Sequence, residues 1–271
     1  MTQTDKARRF RALHERKGAF VIPNPWDVGS AHILAALGFE ALATTSLGMA
    51  VSLGRRDGAV SREDALAHCR AVVGATDLPV SADLENCFGD DPAAVAETIG
   101  LAAATGLAGG SVEDASGDPR RPIYDFGLAV ERVAAAAEAA RALPFPFMLT
   151  ARAENFLRGK PDLDDTIRRL QAFEKAGADV LYAPLLPDLA VIKTVCAAVL
   201  KPVNVLAGRP QFSVAQLEAA GVKRVSLGGL LARAALGAFL RAAREIKKRG
   251  TFTFAMDAAA TDEISAMMAE R

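Results

Sequence analysis

Eight short apolar segments, each followed by an amphipathic helical segment, run through almost the whole chain, and few folds can accommodate that rhythm. The strand-like segments are Ala19–Pro23, Ala41–Ser46, Leu78–Glu85, Gly110–Asp114, Phe147–Glu154, Val180–Leu185, Pro202–Ala207 and Arg224–Gly228. Between and after them, the apolar spacing switches to the 3.6-residue period of helices at Gly29–Leu37, Arg62–Ala75, Pro92–Thr105, Gly127–Ala142, Asp162–Ala176, Leu189–Val199, Val214–Ala219 and Leu230–Arg249. Gly38, Gly106, Gly177 and Gly221 each follow a helix, where a left-handed cap favours glycine. Pro92, after Asp90-Asp91, suits the first turn of a helix. Eight strand–helix units predict an α/β protein of the (β/α)8 TIM-barrel type, since a doubly wound open sheet usually has fewer. The 271 residues suit one such domain, with the barrel core at about 19–249. Thr4–Lys17 reads as a helix covering the barrel bottom, and Thr251–Arg271, joined through Gly250, as a tail with one helix near Thr261–Ala269.

Charge and cysteine usage narrow the partners. Lysine plus arginine and aspartate plus glutamate are equal at 32 each, and no basic stripe appears, which argues against nucleic acid. No apolar run reaches the ~18 residues of a membrane span, and the polar start, Met1-Thr2-Gln3-Thr4-Asp5-Lys6, lacks the apolar core of a signal peptide. Cys69, Cys87 and Cys196 are scattered without metal-ligand spacing, as in a reduced compartment, so a soluble cytoplasmic protein is expected. His14, His32 and His68 all fall within helices and form no His-x-His pair, which disfavours a zinc site.

Three strand ends carry the chemistry. Val80-Ser81-Ala82-Asp83-Leu84-Glu85, Gly110-Ser111-Val112-Glu113-Asp114 and Leu149-Thr150-Ala151-Arg152-Ala153-Glu154 are apolar runs that end abruptly in charge. Strand side chains alternate faces, so Asp83 and Glu85 should point the same way, as should Arg152 and Glu154. Carboxylates buried together need a cation, and in a barrel they would meet at the C-terminal mouth. Asp83, Glu85 and Glu113 are therefore candidate ligands for a hard divalent metal. Mg2+ is expected, with Mn2+ as a substitute; one carboxylate would bind directly and the others through retained waters. An ion pair with Arg152 is the competing reading of these acids. Arg152 could grip an anionic substrate with its fork of donors, or bridge to Glu85 or Glu154. Asp114 could cap or turn its loop. Thr44-Thr45-Ser46-Leu47-Gly48 offers small residues and a hydroxyl for an anion, and Asn24 could line the same mouth. Cys87 lies just past the acidic pair, without a nearby histidine or lysine to activate it. Gly228-Gly229 after strand eight suits either a phosphate loop or tight packing. Insertions at Leu47–Ser61 and Ala115–Phe126 are long enough to gate the mouth.

At these residues the chain resembles the isocitrate lyase and phosphoenolpyruvate mutase superfamily. Pro23-Asn24-Pro25-Trp26-Asp27, Thr45-Ser46-Leu47-Gly48, Asp83-Leu84-Glu85-Asn86-Cys87-Phe88-Gly89, Ser111-Val112-Glu113-Asp114 and Ala151-Arg152-Ala153-Glu154 fall in family order, from about Phe20 to Ile246. The resemblance implies Asp83 as the closest metal ligand, with Glu85 and Glu113 acting through waters. It implies Ser46 and the Leu47 and Gly48 amides as the hold on a substrate carboxylate, and Arg152 on its charge. Asp83, Glu113 and Arg152 are then the catalytic set. The implied activity is Mg2+-dependent cleavage, decarboxylation or hydrolysis of a small 2-oxo or 2-hydroxy polycarboxylate, such as oxaloacetate or a (methyl)isocitrate-like acid, through a stabilised enolate. Phosphonopyruvate-type P–C chemistry is the runner-up, and a barrel that binds an oxo acid without turning it over is the reading from another class. The implied assembly is a homo-oligomer, a tetramer or dimer, whose last barrel helix is exchanged between subunits. The chain departs from the lyases in one loop: where they carry Lys-Lys/Arg-Cys-Gly-His, it reads Ala115-Ser116-Gly117-Asp118-Pro119-Arg120-Arg121-Pro122. The gating asparagine of the mutase is absent, and Pro184 stands near its histidine.

Overall fold

The computed structural model describes residues 1–208 and 211–268. Eight parallel strands form one sheet: β1 (Phe20–Ile22), β2 (Leu42–Ala43), β3 (Val80–Ala82), β4 (Gly109–Glu113), β5 (Met148–Arg152), β6 (Val180–Tyr182), β7 (Val203–Leu206) and β8 (Arg224–Ser226). Neighbours follow chain order from β2 to β8, and β8 returns to pair with β1, so the expected (β/α)8 barrel is the fold. The seam between β1 and β2 is closed by one backbone bond, from Ala43 N–H to Pro23 O (3.0 Å). The Asn24 amide reinforces it by donating to Thr44 O (2.9 Å).

The outer helices are α2 (Val28–Ala36), α4 (Arg62–Gly74), α5 (Pro92–Ala103), α6 (Phe126–Arg141), α7 (Leu163–Ala176), α8 (Leu189–Ala198), α9 (Val214–Ala219) and α10 (Leu230–Arg249), with α1 (Gln3–Glu15) ahead of the barrel and α3 (Ser46–Ser52) after β2. Local chemistry sets many of their ends. Asp91 caps α5 ahead of Pro92. In α7, Asp162 accepts from Asp165 N–H at the start, and Gly177 ends the helix at φ +110°. α1 seals the barrel floor, where its Ala7, Phe10 and Leu13 pack on Phe20, Met148 and Val180 from the strand starts. The tail forms a short 3-10 turn (Thr253–Asp257) and α11 (Thr261–Met267). Ala269, the expected end of that helix, lies outside the described residues.

Three differences from the sequence reading bear on the site. Strand two ends at Ala43, not Ser46; Ser46 starts α3, so the insertion after it opens with a helix. Strand three ends at Ala82, not Glu85. The next turn carries Glu85, Cys87 and Phe88 in the left-handed region (φ 51°, 58° and 58°), a costly conformation for residues with a Cβ. Arg132 of α6 pins that turn: it is 1% exposed and donates to the carbonyls of Asn86, Gly89 and Asp90. Finally, α10 has a broad apolar face but only Ala232 is buried, leaving Phe239 (66% exposed) and Leu240 in the open.

Candidate active site

A cavity of about 540 Å3 opens at the C-terminal mouth of the barrel. Asn24, Ser46, Leu47, Asp83, Glu85, Glu113 and Arg152 all line it. Gly48 does not: it is buried, and a Cβ there would lie 2.6 Å from Trp26 Cβ and 2.7 Å from Thr45 Cγ2, so packing alone requires glycine. Asn24 lines the wall, but its amide is committed to the scaffold. Its oxygen accepts from Leu227 N–H (2.8 Å) and Gly228 N–H (2.9 Å), tying β1 to the loop after β8.

Arg152 is the hub. It stands beside Glu113 in the β4–β5 register. Its guanidinium reaches Asp83 Oδ1 (2.8 Å), Glu113 Oε2 (3.0 Å) and Glu154 Oε1 (2.9 Å). Burial works against its charge, but Glu113, Glu154 and Asp83 together hold its pKa well above that of ordinary arginine. Arg158, from the loop after β5, adds a second cation at 3.1 Å from Glu113 and 3.5 Å from Glu154. Tyr182, at the end of β6, lays its ring 5.1 Å from the Arg152 guanidinium; burial pushes its phenol up to about 12. Neither Arg158 nor Tyr182 stood out in the sequence. The available signal was position: Tyr182 ends strand six in register with Arg152.

Asp83 accepts from Ser46 N–H (3.2 Å), and its own N–H donates to Thr44 Oγ1 (2.9 Å), which locks the start of α3 to the end of β3. Glu85 reaches the cavity through its left-handed backbone rather than by strand alternation. It is the carboxylate left over. Its Oε1 is buried without a hydrogen-bond partner, and burial, with Asp83 and Glu113 adding repulsion, pushes it up to about 7. Burial likewise pushes Glu113 up to about 7 against the pull of Arg152. Asp114 turns away from the cavity and receives Arg169 (3.1 Å) and Glu154 N–H (2.8 Å).

Among the described residues no three His, Cys, Asp or Glu side chains converge into a ready-made chelate. An orphaned buried carboxylate oxygen beside further hard oxygen donors nevertheless suits a cation that keeps much of its water, as Mg2+ does. Cys87 is fully buried beneath the turn, outside the cavity lining, and burial pushes its thiol up to about 12, which makes it inert. The Ala115–Phe126 insertion, expected as a gate, contributes nothing to the lining: it folds on itself through an Ala115–Ile123 bridge, and Tyr124 donates to Asp90. The insertion after β2 contributes Asp57 and Gly58.

Acids braced by arginine in a cavity at the C-terminal mouth of a (β/α)8 barrel occupy the place where enzymes of this fold carry their active sites. Within that class, the chain belongs to the phosphoenolpyruvate phosphomutase family, whose profile matches residues 10–247. It is thereby a member of the isocitrate lyase/phosphoenolpyruvate mutase superfamily and an enzyme of its lyase type. A solved Burkholderia cenocepacia protein, described as a candidate lyase/mutase, is 59% identical over 97% of this chain and 96% of its own, with a TM-score of 0.96. An uncharacterised Mycobacterium tuberculosis protein is 33% identical over 88% of each chain. Oxaloacetate decarboxylase of Paraburkholderia xenovorans is 28% identical over 96% of this chain and 88% of that one.

Proposed function

We propose that the protein is a Mg2+-dependent lyase that cleaves or decarboxylates a small 2-oxo or 2-hydroxy acid, with oxaloacetate the leading substrate. The observation that carries this reading is Arg152 bridging Asp83, Glu113 and Glu154 while Glu85 stays unpaired on the wall of the same cavity. Asp83, with Glu85 and Glu113 behind it, would hold the metal. When bound, Mg2+ supplies Lewis-acid stabilisation of the charge that develops on the substrate oxygen. Arg152 orients the substrate carboxylate, and the Ser46 hydroxyl and the Leu47 amide at the start of α3 close around it. Tyr182 excludes water from the flank of Arg152.

The loop after β4 supplies no acid for isocitrate cleavage, which would have to draw its proton from a cavity carboxyl such as Glu85. Asp118, Tyr124 and Asp125 all lie outside the cavity lining, and Cys87 is buried, so none can protonate a departing dicarboxylate fragment there. A positioned acid contributes ~10²–10⁴-fold. A pyruvate-like fragment can take its proton from solvent after release. Phosphonopyruvate is the second substrate to test, because the family profile is that of a phosphomutase.

The uncovered apolar side of α10, with Phe239 and Leu240, supports a homodimer or homotetramer in which that helix covers a neighbouring subunit. Three free thiols support a reducing, cytoplasmic setting, and among the described residues no helix is long and apolar enough to cross a membrane. The direct test is an NMR time course on oxaloacetate, isocitrate, methylisocitrate, dimethylmalate and phosphonopyruvate, with and without Mg2+. Turnover of none of them would refute the reading.

A further inference from the structure

The cavity does not stop at the mouth. Barrel interiors are ordinarily filled by layers of branched apolar side chains, but here Ser81, Ser111, Thr150, Asn204, Arg224 and Ser226 all line the cavity. Ser111 and Thr150 precede Glu113 and Arg152 by two residues, which at ~3.3 Å per residue puts them about 6–7 Å further into the barrel.

Arg224 is only 5% exposed. Its Nε donates to Asn204 Oδ1 (2.8 Å), one terminal nitrogen to Thr150 Oγ1 (2.9 Å), and the other lies 3.4 Å from His14 Nε2. His14 Nδ1 lies 2.8 Å from Phe10 O and therefore carries the proton, leaving Nε2 as the acceptor for Arg224. The ring is neutral: burial, with Arg224 adding repulsion, pulls its pKa down to about 3. Burial lowers the Arg224 pKa to about 10, which still leaves it charged at neutral pH. No carboxylate among the described residues pairs with it. Arg152 and Arg169 are paired with acids, whereas Arg132, like Arg224, is held only by neutral acceptors, three backbone carbonyls of the turn after β3. A buried charge without a counter-charge is costly.

A second observation falls on the same spot. Ser111 Oγ is buried and has no hydrogen-bond partner. Ser111 is the β4 neighbour of Thr150, the residue that receives Arg224. A guanidinium without a counter-charge and an orphan hydroxyl thus line the same cavity, linked through Thr150.

We propose that this inner chamber binds a small anion, a halide or a small carboxylate, held by the Arg224 guanidinium and the Ser111 hydroxyl. The anion supplies the counter-charge that Arg224 lacks. The chamber is the inner part of the cavity whose mouth holds the carboxylates, and the proposal stands whether or not the proposed reaction is correct.

The test is thermal unfolding of the full-length protein in sodium bromide or sodium formate against sodium gluconate, at constant ionic strength. A bound anion raises the melting temperature with a saturable dependence set by its Kd. Wild type should show that curve with bromide, formate or both, the pattern telling halide from carboxylate. Arg224→Gln should lose it. Ser111→Ala, which removes one oxygen, should weaken apparent affinity about tenfold, as expected for a hydrogen bond to an anion. Anomalous scattering from bromide-soaked crystals, or formate density, should fall in the chamber. Should Arg224→Gln fail to fold, Ser111→Ala and the crystal carry the test. An anion effect that is unsaturable or identical in wild type and Ser111→Ala, or a chamber without anion density, would overturn the proposal.

Discussion

In the metal-free protein, replacing Glu85 by glutamine should raise stability at about pH 8 and leave it nearly unchanged at about pH 4.5. Burial and two neighbouring acids lift the Glu85 pKa from 4.5 to about 7. A carboxyl whose folded pKa is raised stays protonated in the folded chain after its unfolded counterpart has ionised. Its penalty is therefore absent below about pH 4.5, grows between about 4.5 and 7, and is complete above that window. The shift corresponds to about 3 kcal/mol at 1.36 kcal/mol per unit. Solvent reaching this cavity wall reduces that to about 2 kcal/mol. For a chain of this size, each kcal/mol moves the melting temperature by about 2–4 °C. Calorimetric melts of wild type and Glu85→Gln in EDTA at the two pH values would measure it, with the variant about 4–8 °C higher at pH 8 only. Added Mg2+ should close the gap by stabilising wild type selectively. An equal difference at both pH values, or a variant less stable at pH 8, would refute the reasoning.

Asp83→Ala should abolish both Mg2+ binding by calorimetry and Mg2+-dependent turnover; unchanged affinity would remove Asp83 as the ligand. Arg152→Lys keeps one charge but cannot reach Asp83, Glu113 and Glu154 together, so KM should rise and the melting temperature should fall, because partly uncompensated buried acids cost several kcal/mol. Normal kinetics with only a stability loss would make Arg152 structural. Cys87→Ser should leave turnover close to wild type, and wild type should cleave isocitrate poorly; strong isocitrate cleavage that vanishes in this variant would make Cys87 the acid. Phe239→Glu on α10 should shift the mass in light scattering toward monomer, and an unchanged mass would leave that face without a subunit to cover.

Local chemistry made the barrel legible. Alternation, helix period and helix-ending glycines act over a few residues, so the eight units and their order could be read from the chain, with α1 placed beneath and the charged ends of β4 and β5 at one mouth. Contacts made across the barrel were not legible. Nothing local to Glu85 says that three left-handed residues will aim it, nor that Arg132, 46 positions past Asn86, will hold that turn. Arg152 finds Asp83 across 69 positions, and Arg224 finds Thr150 across 74. The Ala115–Phe126 insertion looked like a gate by length alone, yet its own bridge folds it off the cavity. The sequence by itself therefore determined the architecture and which charges gather at the mouth, because period and phase are local properties. Only the tertiary structure decided which acids are paired, which carboxylate is left over and which buried arginines lack a counter-charge, because those depend on distances between distant segments and on the exclusion of water.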